Sequence, residues 1–220
     1  MAVIKNIGHP VTQNIRMKLY NIVEANNANE LTALLRAGMN PALQNEYLFR
    51  RCIISKKLRL AQIVLQFHSP DIALHDYDMV SNIAGKCTID NNSHSLLLRN
   101  LVQHHPKIMT DTAVARALAV LISQKRTSVY TNAIVALLLE RLGVNRHEVI
   151  HHFSKAKASN LSVNACRWII EHLPLDDIDT QPALAKRLIN LYSDKGSINY
   201  NLIQTLPESL KPFALKLYLA

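Results

Sequence analysis

KLYNIVEANNANELTALLRAGMN, from Lys18 to Asn40, is the stretch that decides the fold. Leu19, Ile22 and Val23 recur at helical spacing and give one apolar stripe. A polar Asn-rich break follows. The doublet Leu34-Leu35 then closes a second short helix, and Gly38 falls just past it. A left-handed residue is wanted there, and glycine adopts that conformation without a Cβ penalty. Two helices of this length cannot bury their stripes alone, so the pair calls for neighbours of the same kind.

Those neighbours are present. An aliphatic doublet that closes a helix recurs with its second member at Leu35, Leu65, Val102, Leu139 and Ile170. The spacing is even enough to mark a repeat, and it matches the ~33 residues that two short helices and their turns require. Pro41, Pro70, Pro106 and Pro174 each follow a helix end by a few positions, where proline does no harm. The pattern predicts helices over Asn14–Asn26 and Asn29–Ala37, Asn45–Ser55 and Lys57–Phe67, and Tyr77–Lys86 and Ser93–His104. It continues with Asp111–Ser123 and Ser128–Leu142, then Arg146–Ala158 and Val163–Leu173. Asp111 and Ser128 are the expected N-caps, and Thr88–Asn92 reads as an exposed loop insertion. Gln181–Ser193, Asn199–Gln204 and Pro207–Leu219 complete a helical cap. The fold class is therefore all-α: a solenoid of helix pairs over residues 1–180 with a C-terminal cap at 181–220.

Lys18–Asn40 resembles a unit of the ankyrin-repeat family. Leu19 matches the consensus leucine of the first helix, Ile22-Val23 replace its paired alanines, and Leu34-Leu35-Arg36-Ala37-Gly38 matches the closing Leu-Leu-x-x-Gly. Asn45–Asp78 resembles a second unit, slightly longer at its inner turn, and the likeness extends over about residues 16–180. The Thr-Pro-Leu-His tetrapeptide of the family is absent throughout, and a plain α-solenoid is the structural alternative. The resemblance implies a protein-binding array that presents turns and first-helix faces along a concave groove. Short degenerate arrays of this kind are similar to effectors that intracellular bacteria secrete into host cells. The cytoplasm, or a host cell, is the location this implies.

Composition narrows the function. Hydrophobic residues make up 49% of the 220, enough for a sizeable core, and only 5 are glycine, which disfavours a turn-rich all-β chain. The longest apolar runs, Ala117–Ile122 and Ala133–Leu139, fall well short of the ~20 residues that cross a bilayer. The opening MAVIKNIGHP lacks the apolar core of a secretory signal. Cys52, Cys87 and Cys166 are odd in number and far apart, which argues against a disulfide framework. Glycine-rich phosphate loops, serine nucleophile elbows and acidic Ca²⁺ loops are missing, so no small-molecule cofactor is expected.

A formal net charge of +9 points to acidic partners. Arg50, Arg51, Lys56, Lys57 and Arg59 form a dense positive cluster with no negative charge among them. Such a cluster suits carboxylates or phosphates. An acidic protein face is preferred to nucleic acid, which would want more aromatics for base stacking. With the turn and inner-helix positions Asn40, Gln44, Asn45, His75, Asp76 and Arg116, these residues form the expected partner-binding set.

One motif suggests chemistry instead. In His147-Glu148-Val149-Ile150-His151, histidines four apart share a helix face and can hold Zn²⁺. Glu148 would be the general base and Glu171, on a later helix, the third ligand. This metallohydrolase alternative resembles the zincin proteases. The opposing expectation is that Val149, Ile150 and Phe153 take the core positions, which leaves both histidines near the surface.

Overall fold

Short polar breaks between apolar stripes end each helix early and turn the chain back. The computed structural model describes residues 9–87, 92–124, 129–153, 158, 160–192 and 200–219. Among these residues there is no strand, and the fold is all-α. The chain divides into two compact units, Met1–Asn82 and Ile83–Ala220.

The first unit is built from α1 (His9–Glu24), α2 (Ala28–Arg36), α3 (Leu43–Ile54) and α4 (Leu58–Phe67). A further helix, α5 (Leu74–Gly85), spans the division between the units. Three helix ends in the first unit close the same way. After α1, Asn26 N–H donates to Val23 C=O and Asn27 N–H to Ile22 C=O. After α2, Gly38 donates to Leu35 and Met39 to Leu34; after α3, Lys56 donates to Ile53 and Lys57 to Cys52. This is the Schellman pattern, which needs a left-handed residue at its centre. Gly38 supplies it at φ +90°, as its sequence position suggests. Asn26 (φ +54°) and Lys56 (φ +58°) supply it without being glycine. The start of α2 is fixed by Asn27, whose side-chain oxygen accepts from Glu30 N–H while its amide donates to the Glu30 carboxylate.

α1 packs on α3 and α2 on α4, while α1 closes on α2 and α3 on α4. First helix thus stacks on first helix and second on second. The core between them holds Leu19, Ile22, Val23, Leu31, Leu35, Leu48, Phe49, Cys52, Leu60 and Val64, all buried. One acidic side chain is buried with them. Glu46 is 4% exposed; its carboxylate meets His68 Nε2 at 2.8 Å and accepts from Asp71 N–H. That clamp ties the start of α3 to the end of α4. Gln44, Asn45 and Glu46 all have positive φ, so the regular right-handed part of α3 begins at Tyr47.

In the second unit, α6 (Asn92–His104) packs on α8 (Val129–Leu142). α7 (Asp111–Ile122) packs on α8 and on α9 (Glu148–His151). α7 is apolar nearly all round and is buried from Ala113 to Ile122 except at Arg116. Thr110, not Asp111, caps it: Thr110 has an extended backbone and its hydroxyl accepts from Ala113 N–H. Asp111 instead pairs with Arg141 and accepts from the Asn145 amide. The other expected cap, Ser128, lies outside the described residues, as do residues 88–91 of the expected loop; Asn92 opens α6.

The single helix expected over Arg146–Ala158 is broken. Leu142 runs into a 3₁₀ turn, Gly143–His147, with Gly143 at φ +51°. α9 then lasts one turn before His152 leaves helical geometry and carries Phe153 into the core, 1% exposed. Val149 and Ile150 are fully buried. Beyond it come α10 (Val163–His172), capped by Ser162, and α11 (Pro182–Ile189), with a 3₁₀ turn at Ile178–Thr180 between them. α12 (Tyr200–Thr205) and α13 (Lys211–Leu219) follow. α10 packs on α11, and α13 packs on α11 and α12. No helix among the described residues is long and apolar enough to cross a membrane.

Candidate functional site

α1 and α3 carry matching positions at one constant offset in the sequence, and these positions touch. The Arg16 guanidinium lies over the Tyr47 ring, 4.7 Å from its centroid. One turn on, the pair is reversed: the Arg51 guanidinium lies over the Tyr20 ring at 4.5 Å. One turn further, Ser55 Oγ donates to Glu24 Oε1 at 2.7 Å. Three rungs with the same offset mean that α1 and α3 run side by side in the same direction and in register. A guanidinium over a ring face is attracted by the ring quadrupole.

The two helices bound an open groove of about 920 Å³. Gln13, Asn14, Arg16, Met17 and Tyr20 line it from α1; Gln44, Tyr47, Arg50, Arg51 and Ile54 line it from α3. Three of these are arginines and none is acidic. Met17 (62% exposed), Ile54 (47%) and Tyr20 (38%) show apolar surface in the same place. Arginine, tyrosine and methionine beside exposed aliphatic surface are the residue types enriched where proteins meet.

Glu24 lies outside the lining but bonds to Arg51, which is part of it. Arg51 Nη2 donates to Glu24 Oε1 at 2.7 Å, so that oxygen accepts from both Arg51 and Ser55. The Ser55 hydroxyl, the Arg51 guanidinium and the nearby positive charge of Lys57 hold the Glu24 carboxyl below the usual carboxylate range. In return the Glu24 carboxylate raises the Arg51 pKa.

The structure sorts the expected partner-binding residues. Gln44, Arg50 and Arg51 line the groove, and Asn45 is the exposed residue beside Gln44 in the left-handed turn. Lys56 and Lys57 form the turn after α3, and exposed Arg59 stands in the first turn of α4. Asn40 does structural work, its side chain accepting from Ala42 N–H to shape the turn before α3. The His75 and Asp76 side chains lie outside the described residues. Arg116 belongs to the second unit, half-buried on α7.

Arg16, Met17, Tyr20, Tyr47 and Ile54 line the groove with them, Glu24 and Ser55 meet beside it, and none of the seven was in the expected set. Only the stacked pairs leave a trace in the sequence, Arg16 and Tyr20 on one segment answering Tyr47 and Arg51 on the other with Arg and Tyr exchanged at i, i+4, and the trace has meaning only once α3 is laid beside α1.

The candidate metal residues stand in the second unit. His147 ends the 3₁₀ turn, with its Nε2 3.5 Å from Glu148 Oε1, and both side chains are about 40% exposed. His151 Nδ1 lies 3.4 Å from Thr180 Oγ1. Glu171, on α10, does not join them: among the described residues no three His, Cys, Asp or Glu side chains come together to hold a metal ion.

Cys52 and Cys87 are fully buried, and burial pushes their thiols up to about 12 and about 11. Cys166 is pushed up by the same cause, against an opposing pull from Arg187. Trp168 is half-buried and stacks face to face on His172 at 4.5 Å. Compared with known proteins, the chain matches no family model, no curated protein and no solved structure.

Proposed function

We propose that this protein is a protein-interaction module whose first unit takes an acidic segment of a partner protein in the groove between α1 and α3. In this reading α1–α2 and α3–α4 are ankyrin-like units, and the groove is the face presented by their first helices. The observation that carries it is the lining: Arg16, Arg50 and Arg51 with no carboxylate among them, beside exposed Met17, Tyr20 and Ile54. Positive charge attracts and orients an acidic segment, and the apolar surface between the charges favours its burial. The scarcity of stacking aromatics, with Tyr20 and Tyr47 each already engaged by one arginine, favours protein over nucleic acid.

Arg50 is the decisive residue. It lines the groove but shares in neither tyrosine stack nor the Glu24 pair. Isothermal titration with an oligoglutamate peptide tests the reading. The Arg50→Glu variant should bind about tenfold more weakly than the wild type, the size expected for reversing one charge at a partly solvated contact. An oligoglutamine peptide should bind weakly to both. Equal affinity of the wild type and Arg50→Glu for oligoglutamate would contradict the proposal.

A further inference from the structure

We infer that Glu24 is a built-in competitor for the partner's carboxylate, occupying an anion-receiving position that adjoins the groove through Arg51 until the partner displaces it. This deepens the acidic-partner reading and rests on it.

Three observations carry the inference. First, a receptor for a single carboxylate is fully assembled here. Arg51 Nη2 and Ser55 Oγ both donate to one Glu24 oxygen at 2.7 Å, and Lys57 adds its charge from the neighbouring turn. A charge-assisted guanidinium bond plus a hydroxyl donor recognises any carboxylate placed between them. Second, Arg51 does not depend on Glu24 for its position. Its guanidinium is stacked on Tyr20, so the donor stays aimed at the site when the carboxylate leaves. Third, Glu24 is cheap to displace. Its side chain is 41% exposed at the last turn of α1, and an ion pair so open to water is weak. The freed carboxylate swings into solvent, and one incoming carboxylate takes over its two hydrogen bonds.

The arrangement sets a threshold on the partner. A lone carboxylate gains little, because it only exchanges places with Glu24. A segment that also reaches Arg50 and lays an apolar side chain on Met17 or Ile54 gains contacts that Glu24 does not make. Glu24 thus favours segments that engage the groove beyond this one position, Arg50 above all, and turns away single anions.

The test compares the wild type with Glu24→Gln, Glu24→Gln/Arg51→Gln and Arg50→Glu, using the oligoglutamate peptide as probe. Glutamine keeps an acceptor for Ser55 and Arg51, so the α1–α3 ladder survives while the competing charge is gone. Glu24→Gln should bind about fivefold more tightly, the low end of what one like charge a few ångströms away costs in water. Adding Arg51→Gln should cancel the gain, which a merely structural role for Glu24 would not predict. Unchanged or weaker binding by Glu24→Gln, with Arg50→Glu still impaired, overturns the inference and leaves the groove standing. No binding by the wild type or any variant overturns both.

Discussion

Lys56 holds a backbone conformation that lysine adopts at a cost. At φ +58° its Cβ crowds the carbonyl, yet the chain needs a left-handed residue there to close α3 and start α4. Glycine relieves that crowding. Lys56→Gly should therefore raise stability by about 0.5–1 kcal/mol, read as a higher urea midpoint with an unchanged slope. A lower midpoint would mean that the turn does not have this geometry. The same residue explains why the helix ends were only partly legible. Gly38 advertises its left-handed role in the sequence, because glycine is common there for a physical reason. Asn26 is the next most favoured residue at such a position, whereas Lys56 plays the same part silently, since the tertiary fit of the next helix overrides its local preference. Thr110 and Asp111 present the same difficulty at a helix start. Either side chain can cap, and the choice of Thr110 is made by Asp111 finding Arg141 and Asn145 elsewhere.

At the scale of elements, the apolar doublets read well because they fix which face each helix buries. Leu31 and Leu35 on α2, and Leu60 and Val64 on α4, are buried as their spacing requires. The break in the Arg146–Ala158 helix was not legible. Val149, Ile150 and Phe153 fit a helical stripe, but burying Phe153 turned the chain out of helix at His152. The candidate groove was legible by half. Arg50 and Arg51 stood out through charge density, whereas the α1 side did not, because Arg16 and Tyr20 are isolated residues until α3 is laid beside them. The constant register of the ladder is the element-level fact that joins the two sides. It lies close to the interval between Leu35 and Leu65, so packing and surface contacts repeat together.

For the molecule as a whole, the three cysteines act as reporters of folding in both units. Cys52 lies in the first unit and Cys87 and Cys166 in the second, all buried with their thiols pushed above the ordinary range. The thiolate is the reactive form, and a raised pKa depletes it at neutral pH. Ellman's reagent should leave all three unreacted over minutes in the native protein at mildly alkaline pH, and react with all three in denaturant. Fast labelling of one thiol would locate a unit that opens readily. The net charge of +9 gives the whole chain an attraction for acidic partners, but long-range charge does not place a ligand. The groove does.

The most direct measurement of that claim is a titration of ¹⁵N-labelled protein with the oligoglutamate peptide, followed by backbone amide shifts. The account predicts saturable shifts concentrated in Gln13–Tyr20 and Gln44–Ile54, the two walls of the groove. Shifts spread evenly over exposed lysines and arginines, or centred in the second unit, would contradict it.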